Sequence, residues 1–202
     1  IIQLSKEHNL VQFAIMGSAF SRFLQNIDRP TVGLLNVGEE DQKGFDYLRA
    51  AAETLRRDDL PVNYVGFVEG SDFSSGTVDV IVTDAFTGNI ALKTAEGVAQ
   101  LVRAFLRRAF AANIFTKIAY LFARPALARV RSMINPNAYN GAVFLGLNGI
   151  SVKSHGGTNA FGYANAIGVA ADMVKNGYLP EVSQAIAKAN LILNEEKRDE
   201  NG

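Results

Sequence analysis

The chain contains no cysteine among its 202 residues. Disulfide bonds, cysteine-ligated zinc sites and thiol nucleophiles are therefore excluded for it, and the absence fits a reducing compartment. No signal peptide is visible, and no uninterrupted apolar run approaches the roughly 20 residues that a membrane-spanning helix needs. Apolar residues make up 48% of the sequence and charged residues 20%, which is typical of a soluble globular protein with one good-sized core.

An initiator methionine is also missing, because the sequence begins at Ile1. We therefore expect the chain to be a fragment of a longer protein. It shows no internal repeat and no low-complexity linker, so the simplest interpretation is a single α/β domain over residues 1–202.

Acidic side chains are absent from residues 97–171, although the whole chain balances 20 acidic against 20 basic residues. Residues 1–96 hold 14 acidic and 8 basic side chains, so charge is segregated along the chain. The basic residues of the acid-free stretch are Arg103, Arg107, Arg108, Lys117, Arg124, Arg129, Arg131 and Lys153. A basic stretch of this kind commonly binds nucleic acid, an anionic membrane or another acidic partner.

Short apolar runs alternate with amphipathic helical patterns. The predicted strands are residues 31–37, 62–68, 78–82 and one or more within 142–152; the predicted helices are residues 9–27, 43–57, a long one from about residue 90, 159–175 and 180–197. The inner stripe of the 43–57 helix is predicted to be Phe45, Leu48, Ala52 and Leu55. Nearly continuous apolar strands indicate an α/β fold with a mostly parallel sheet that helices cover on both faces.

Polar segments follow the predicted strands at residues 36–43, 69–72, 83–89 and 153–159. We expect them to gather at one rim, because α/β sheets bind ligands at the carboxyl ends of their strands. Residues 153–157 combine a cation, a hydroxyl, an imidazole and two glycines before a helix, which suits a phosphate or an oxyanion. A plain strand-to-helix turn with a surface lysine explains the pattern equally well.

The segment 97–137, called the basic hairpin below, joins arginines to many Phe and Ile residues. On one unbroken helix Arg103, Arg107, Lys117 and Arg124 would share a sector of roughly 100°. Pro125 must end or kink that helix, so we predict a helical hairpin with residues 126–133 on its second arm. Its apolar surface can pack in a core, lie on an anionic membrane or dock on a partner helix.

Five stretches in order along the chain carry a family resemblance. They are residues 10–17, 29–38, 67–70, 83–89 and 146–156. Together they resemble the bacterial acyl-ACP:phosphate acyltransferases, the PlsX family of phospholipid synthesis. The first part of that family's chain, with its opening strand and glycine-rich loop, has no counterpart here.

The resemblance implies an α/β fold related to phosphotransacetylase and isopropylmalate dehydrogenase, and a homodimer. It implies a reaction of acyl-ACP with inorganic phosphate that yields acyl phosphate and free ACP, with no metal or other cofactor. It also implies a cytoplasmic enzyme associated peripherally with the membrane, where acyl phosphate passes to a membrane acyltransferase.

The demanding tasks in such a reaction are holding phosphate near the thioester carbonyl and stabilising the oxyanion that forms. The candidate catalytic residues are Lys43, Asn89, Lys153 and His155. The candidate substrate-binding residues are Asn36, Asp84, Thr87, Gly88, Ser154, Gly156 and Gly157. His155 could hydrogen-bond phosphate or protonate the departing thiolate.

Structural roles explain several of these residues as well. Thr87 or Asn89 could be a helix N-cap, and Lys43 a solvated lysine at a helix start. Asp84 could orient a lysine or form a turn. His155 could be a satisfied structural histidine.

The basic hairpin suits the acidic carrier protein or the membrane, and the contact residues predicted for it are Arg103, Arg107, Arg108, Lys117 and Arg124. Two alternatives remain for the function: a phosphotransacetylase-like enzyme that uses acyl-CoA, and a nonenzymatic membrane-surface binding module. Nucleic-acid binding lacks support, because the basic residues alternate with large aliphatic residues rather than exposed stacking aromatics. A dehydrogenase is disfavoured, because no G-x-G-x-x-G follows a strand.

Overall fold

A computed structural model describes residues 7–133, 135, 137–138 and 140–199. The chain forms two compact units: the first comprises residues up to 87, 143–151 and from 170 onwards, and the second comprises residues 88–142 and 152–169. The single-domain interpretation stays a prediction, because compact packing units need not be separate domains.

Seven helices and five strands make up the described residues. In chain order they are α1 (Glu7–Gln25), β1 (Thr31–Leu35), α2 (Asp46–Leu55), β2 (Asn63–Val68), α3 (Asp72–Ser75), β3 (Val80–Val82), α4 (Ala85–Ala111), α5 (Ile114–Met133), β4 (Ala142–Val143), β5 (Val152–Lys153), α6 (Ala160–Lys175) and α7 (Tyr178–Asp199). The predicted alternation of helices and strands is confirmed for the first half of the chain, with ends that differ by a few residues.

The first unit is built on a three-stranded parallel sheet in the order β2-β1-β3. The register places Leu34 of β1 opposite Phe67 on one side and Val82 on the other. Val32 and Leu34 have no exposed surface, as expected for a central strand covered on both faces. This sheet confirms the predicted α/β class.

Helices α1, α2 and α7 supply the core that covers the sheet. Gly17 allows α1 to approach β3 closely, because a Cβ at that position would lie 2.8 Å from Cγ1 of Val80. In the predicted stripe of α2, Leu48, Ala52 and Leu55 are buried, but Phe45 is 67% exposed. The prediction for Phe45 is wrong because α2 begins at Asp46, the residue after Phe45, so Phe45 lies outside the helix.

The apolar run 142–152 contains only two short strands, β4 and β5, which form a separate two-stranded ladder. A turn with Gly146 at φ +80° interrupts the run. Residues 153–159 therefore do not follow a strand of the parallel sheet. We expected these residues at the rim of the parallel sheet because they were predicted to follow one of its strands, and that reason was wrong.

The basic hairpin breaks at residues 112–113 rather than at Pro125, which lies inside α5. Asn113 caps α5, because its Oδ1 accepts the Thr116 N–H at 2.9 Å while the Thr116 hydroxyl oxygen accepts the Asn113 N–H at 3.1 Å. The expectation that the hairpin breaks at Pro125 is wrong. Residues 126–133 do lie on the second arm, which is α5, but that arm begins at Ile114.

The loop after β1 is held by the buried amide of Asn36. Its Oδ1 accepts the Val37 N–H at 2.9 Å, and its Nδ2 donates to the Lys43 carbonyl at 2.9 Å. Gly44 follows with φ +86°, and a Cβ there would collide with the Asn36 side chain, whose Cγ lies 2.8 Å away. Glycine is therefore required at this position for two independent reasons.

We expect Gly44→Ala to destabilise the protein more than Gly76→Ala, which serves as its matched control. Gly76 also has positive φ (+64°), but a Cβ there meets nothing within 4 Å. The control should cost about 1 kcal/mol of unfolding free energy for the left-handed backbone, and Gly44→Ala about 1–3 kcal/mol more for the collision. Urea unfolding measures the free energy of unfolding of both variants. Equal losses would contradict the proposed collision between a Cβ at position 44 and the Asn36 side chain.

Candidate functional site

Three of the four polar segments begin at the same edge of the parallel sheet. Asn36 follows β1, Glu69 follows β2 and Thr83 follows β3, and parallel pairing brings these carboxyl ends together. The Asn36 N–H donates to the Val68 carbonyl at 2.9 Å, which continues the ladder by one bond. This edge is where an α/β sheet offers a ligand site.

Lys43 is a half-exposed cation beside this edge. Its Nζ lies 2.9 Å from Oε1 of Glu40. The hydrogen bond and the charge of Glu40 raise the pKa of Lys43, with a smaller contribution from Glu69. Lys43 is thus a firmly protonated ammonium, but an incoming anion would have to compete with Glu40 for it.

Asp84 and Thr87 form the N-terminal cap of α4. The Asp84 carboxylate accepts the Thr87 N–H at 2.9 Å and the Thr87 hydroxyl at 2.6 Å. Partial burial raises the pKa of Asp84, but the hydrogen bonds from Thr87 outweigh this and leave it below its usual value. Within the described residues no ion pair links Asp84 to Lys43, so the geometry here is that of a cap.

In the second unit, residues 153–158 form an exposed loop whose backbone donors are largely occupied. The His155 N–H donates to Oδ1 of Asn140 at 2.9 Å, and the Thr158 N–H donates to the His155 carbonyl at 3.1 Å. The Gly157 N–H donates to Nδ1 of His155 at 3.1 Å. An anion here would therefore be held mainly by side chains rather than by a cradle of backbone N–H groups.

The hydrogen bond from Gly157 also determines which nitrogen of His155 carries a hydrogen. Nδ1 must be unprotonated to accept it, so the neutral ring carries its hydrogen on Nε2. His155 can then act as a hydrogen-bond donor through Nε2. Lys153, at the end of β5, adds an exposed ammonium to the same loop.

Asn140 is a buried residue that bonds to this loop, and sequence reasoning missed it. Only 6% of the residue is exposed. Its Nδ2 donates to the Ser154 hydroxyl oxygen at 2.8 Å and to the Gly162 carbonyl at 2.7 Å. An asparagine in an irregular segment has no periodicity that marks it as buried, so only its contacts identify it.

One face of α4 carries Asn89, Lys93 and Glu96, which are spaced four and three residues apart. Lys93 donates to Glu96 at 2.8 Å. The hydrogen bond and charge of Lys93 lower the pKa of Glu96. Lys93 and Glu96 therefore pair with each other on the face of α4 that carries Asn89.

The predicted site residues thus form two groups. In the first unit the structure describes Asn36 in contact with Lys43, and Asp84 in contact with Thr87. The second group is the loop after β5, with Lys153, Ser154, His155, Gly156 and Gly157. Gly88 and Asn89 lie in the same unit on the first turns of α4, and among the described residues they make no hydrogen bond to that loop. Each group offers one ammonium.

The basic hairpin exposes both charge and apolar surface. Phe115 and Phe122 are 79% and 82% exposed. A groove of about 820 Å³ lies between α4 and α5, with an apolar floor that includes Leu106 and Val130. The basic residues that line it are Arg103, Arg107, Lys117 and Arg131. No helix in the described ranges is long and apolar enough to cross a membrane.

Comparison with known proteins identifies the family. A sequence profile described as "Fatty acid synthesis protein" matches residues 4–180. The chain is 56% identical over 171 residues to the phosphate acyltransferase of Paramagnetospirillum magneticum, across 85% of this chain and 49% of that protein. It is 51% identical over 185 residues to the phosphate acyltransferase of Rhodospirillum rubrum, across 92% of this chain and 53% of that protein.

The chain spans about half the length of the curated relatives it matches. The residues that the family profile matches, 4–180, include the loops after β1, β3 and β5 that hold the candidate site residues. The chain therefore belongs to the fatty acid synthesis protein family, the PlsX family that its strand-end stretches resemble.

Proposed function

We propose that the protein to which this chain belongs is a phosphate acyltransferase that converts acyl-ACP and inorganic phosphate into acyl phosphate and free ACP. The observation that carries the proposal is the high identity to proteins named phosphate acyltransferase over most of the chain. The loop after β5 supports it, because an ammonium and an imidazole donor there suit an anionic nucleophile.

The reaction forms one bond and breaks one. An unprotonated oxygen of hydrogen phosphate attacks the thioester carbonyl carbon and forms a C–O bond. Collapse of the tetrahedral intermediate breaks the C–S bond, and the sulfur leaves with the electron pair as a thiolate that takes a proton from water. No oxidant, reductant or metal is consumed, so the protein's task is positioning and charge stabilisation.

We assign Lys153 and Asn89 to the phosphate and the developing oxyanion. Lys153 contributes a point charge, and Asn89 contributes an amide N–H from the start of α4. His155 contributes the Nε2 hydrogen as a donor, rather than a proton for the leaving thiolate, which is already a tolerable leaving group near neutral pH. Lys43 supplies further positive charge once an anion displaces Glu40.

The basic hairpin is proposed to contact the acidic carrier protein and the anionic membrane surface, which would make the protein a peripheral membrane enzyme of the cytoplasm. Support comes from its exposed phenylalanines and from the basic side chains that line its groove, since apolar and basic side chains together favour an anionic lipid surface. Homodimer formation and transfer of acyl phosphate to a membrane acyltransferase belong to the same proposal.

We expect Lys153→Ala and Asn89→Ala each to lower kcat/KM for phosphate on the order of 10²-fold, because each removes a donor that acts on developing charge. Lys175→Ala, an exposed lysine at the end of α6, is the matched control and should leave the rate unchanged. The measurement is phosphate-dependent release of free ACP from acyl-ACP, with circular dichroism to verify folding. Wild-type rates in folded variants would refute the assignment.

The same assay with acyl-CoA in place of acyl-ACP separates the two thioester donors. We expect a clear preference for acyl-ACP. A preference for acyl-CoA would favour the phosphotransacetylase-like alternative, and no turnover with either donor would favour the nonenzymatic binding module.

We expect the charge-reversal pair Arg103→Glu and Arg107→Glu to weaken sedimentation with anionic liposomes, because about 1 kcal/mol of attraction is lost for each basic residue near the surface. Lys175→Glu with Lys188→Glu changes the same charge on other exposed helical positions and serves as the control. Binding that is unchanged by the first pair, or equally weakened by both, would contradict the membrane role of the hairpin.

A further inference from the structure

The side chain of Asn140 uses both ends of its amide on the loop that carries Lys153 and His155. Its Oδ1 accepts the His155 N–H at 2.9 Å, and its Nδ2 donates to the Ser154 hydroxyl oxygen at 2.8 Å and to the Gly162 carbonyl at 2.7 Å. A weaker contact reaches the Thr158 hydroxyl oxygen at 3.3 Å. One buried amide therefore ties the start of the loop to the first turn of α6.

Burial makes these bonds specific. An amide that is buried without partners costs about 1–3 kcal/mol, so the loop is held in the geometry that satisfies Asn140. Gly141 makes the burial possible, because a Cβ there would lie 3.2 Å from Cα of Ala166 in α6. The backbone at Asn140 can thus approach α6 closely.

The direction of each bond has a chemical consequence. Because the Ser154 oxygen accepts from Asn140, its own hydrogen is left for another acceptor, and none is found for it within the described residues. Because the His155 N–H is held by Asn140, the backbone on which the ring is mounted is fixed. The Gly157 N–H then orients the ring and leaves its hydrogen on Nε2.

We propose that Asn140 is a positioning residue that orients two donors toward a phosphate anion, the Ser154 hydroxyl and the His155 imidazole. Asn140 itself does not touch the anion, since its amide is fully occupied by the loop. The kinetic test of this inference rests on the proposed function, because it measures the acyltransferase reaction. The spectroscopic test does not depend on activity.

The kinetic test compares Asn140→Ala, His155→Ala and the double variant in the full chain. Asn140→Ala should lower kcat/KM for phosphate on the order of 10²-fold, because a small misplacement of a catalytic donor costs that much. The double variant should lose less than the product of the two single losses, since His155 is one of the two donors through which Asn140 acts. Independent, multiplying losses would overturn the proposal.

Asn165→Ala is the matched control, because Asn165 donates a hydrogen bond to the Asn137 carbonyl in the same unit and, among the described residues, makes no hydrogen bond to residues 153–158. It should retain wild-type kcat/KM. If Asn140→Ala fails to fold, Asn140→Asp replaces it, since a carboxylate still accepts the His155 N–H but cannot donate to the Gly162 carbonyl. A folded Asn140→Asp with wild-type kcat/KM overturns the proposal.

The spectroscopic test uses ¹⁵N-labelled histidine and inorganic phosphate, with His8 on α1 as the internal reference. In the wild type the His155 signals should report the Nε2–H tautomer and shift during the titration, while those of His8 stay in place. Asn140→Ala should lose the single tautomer and weaken the phosphate response. If the His155 signals of Asn140→Ala match those of the wild type, the positioning role is overturned, whether or not the wild type makes acyl phosphate. A wild type that makes no acyl phosphate would refute only the proposed function.

Discussion

The parallel pairing of β1 with β2 and β3 is the constraint on which the first unit depends. β1 is buried, so its backbone groups must bond to neighbouring strands rather than to water. Gly33 is part of this constraint, because a Cβ there would lie 2.6 Å from Cγ1 of Val68. Once three strands run in one direction, the loops that follow them must begin at one edge. Lys43 and Asp84 owe their positions to that rule.

Two buried asparagines perform the same task in the two units. Asn36 accepts the N–H of the next residue and donates to the Lys43 carbonyl, and Asn140 accepts the His155 N–H and donates to the Gly162 carbonyl. In each case the neutral amide is buried and the cation of the loop is exposed. This arrangement avoids the cost of burying an ammonium while it still fixes the backbone that carries it.

The basic hairpin shows where local rules compete. Proline inside a helix is a strong breaker, so Pro125 was the expected end, yet α5 continues through it. The break instead falls where Asn113 and Thr116 can satisfy each other's backbone N–H groups. Capping pairs of this kind are visible in the sequence. The sequence does not show whether such a pair or a proline decides where a helix ends.

The candidate site divides in the same way. The sequence predicted the loops after β1 and β3 and the Lys-Ser-His-Gly-Gly segment, because short apolar strands followed by polar residues have a recognisable pattern. It did not reveal Asn140, because an asparagine in an irregular segment has no periodicity that marks it as buried.

By itself, the sequence determined the α/β class, the alternation of helices and strands in the first half of the chain, the cysteine-free chemistry and the acid-free basic segment. Composition and periodicity suffice for these, since they depend on residues close together in the chain. The tertiary structure alone decided that β5 lies outside the parallel sheet, that the loop's backbone donors are occupied, and that Asn140 is buried against α6. These depend on which distant groups meet, and on the cost of leaving a buried polar group without a partner.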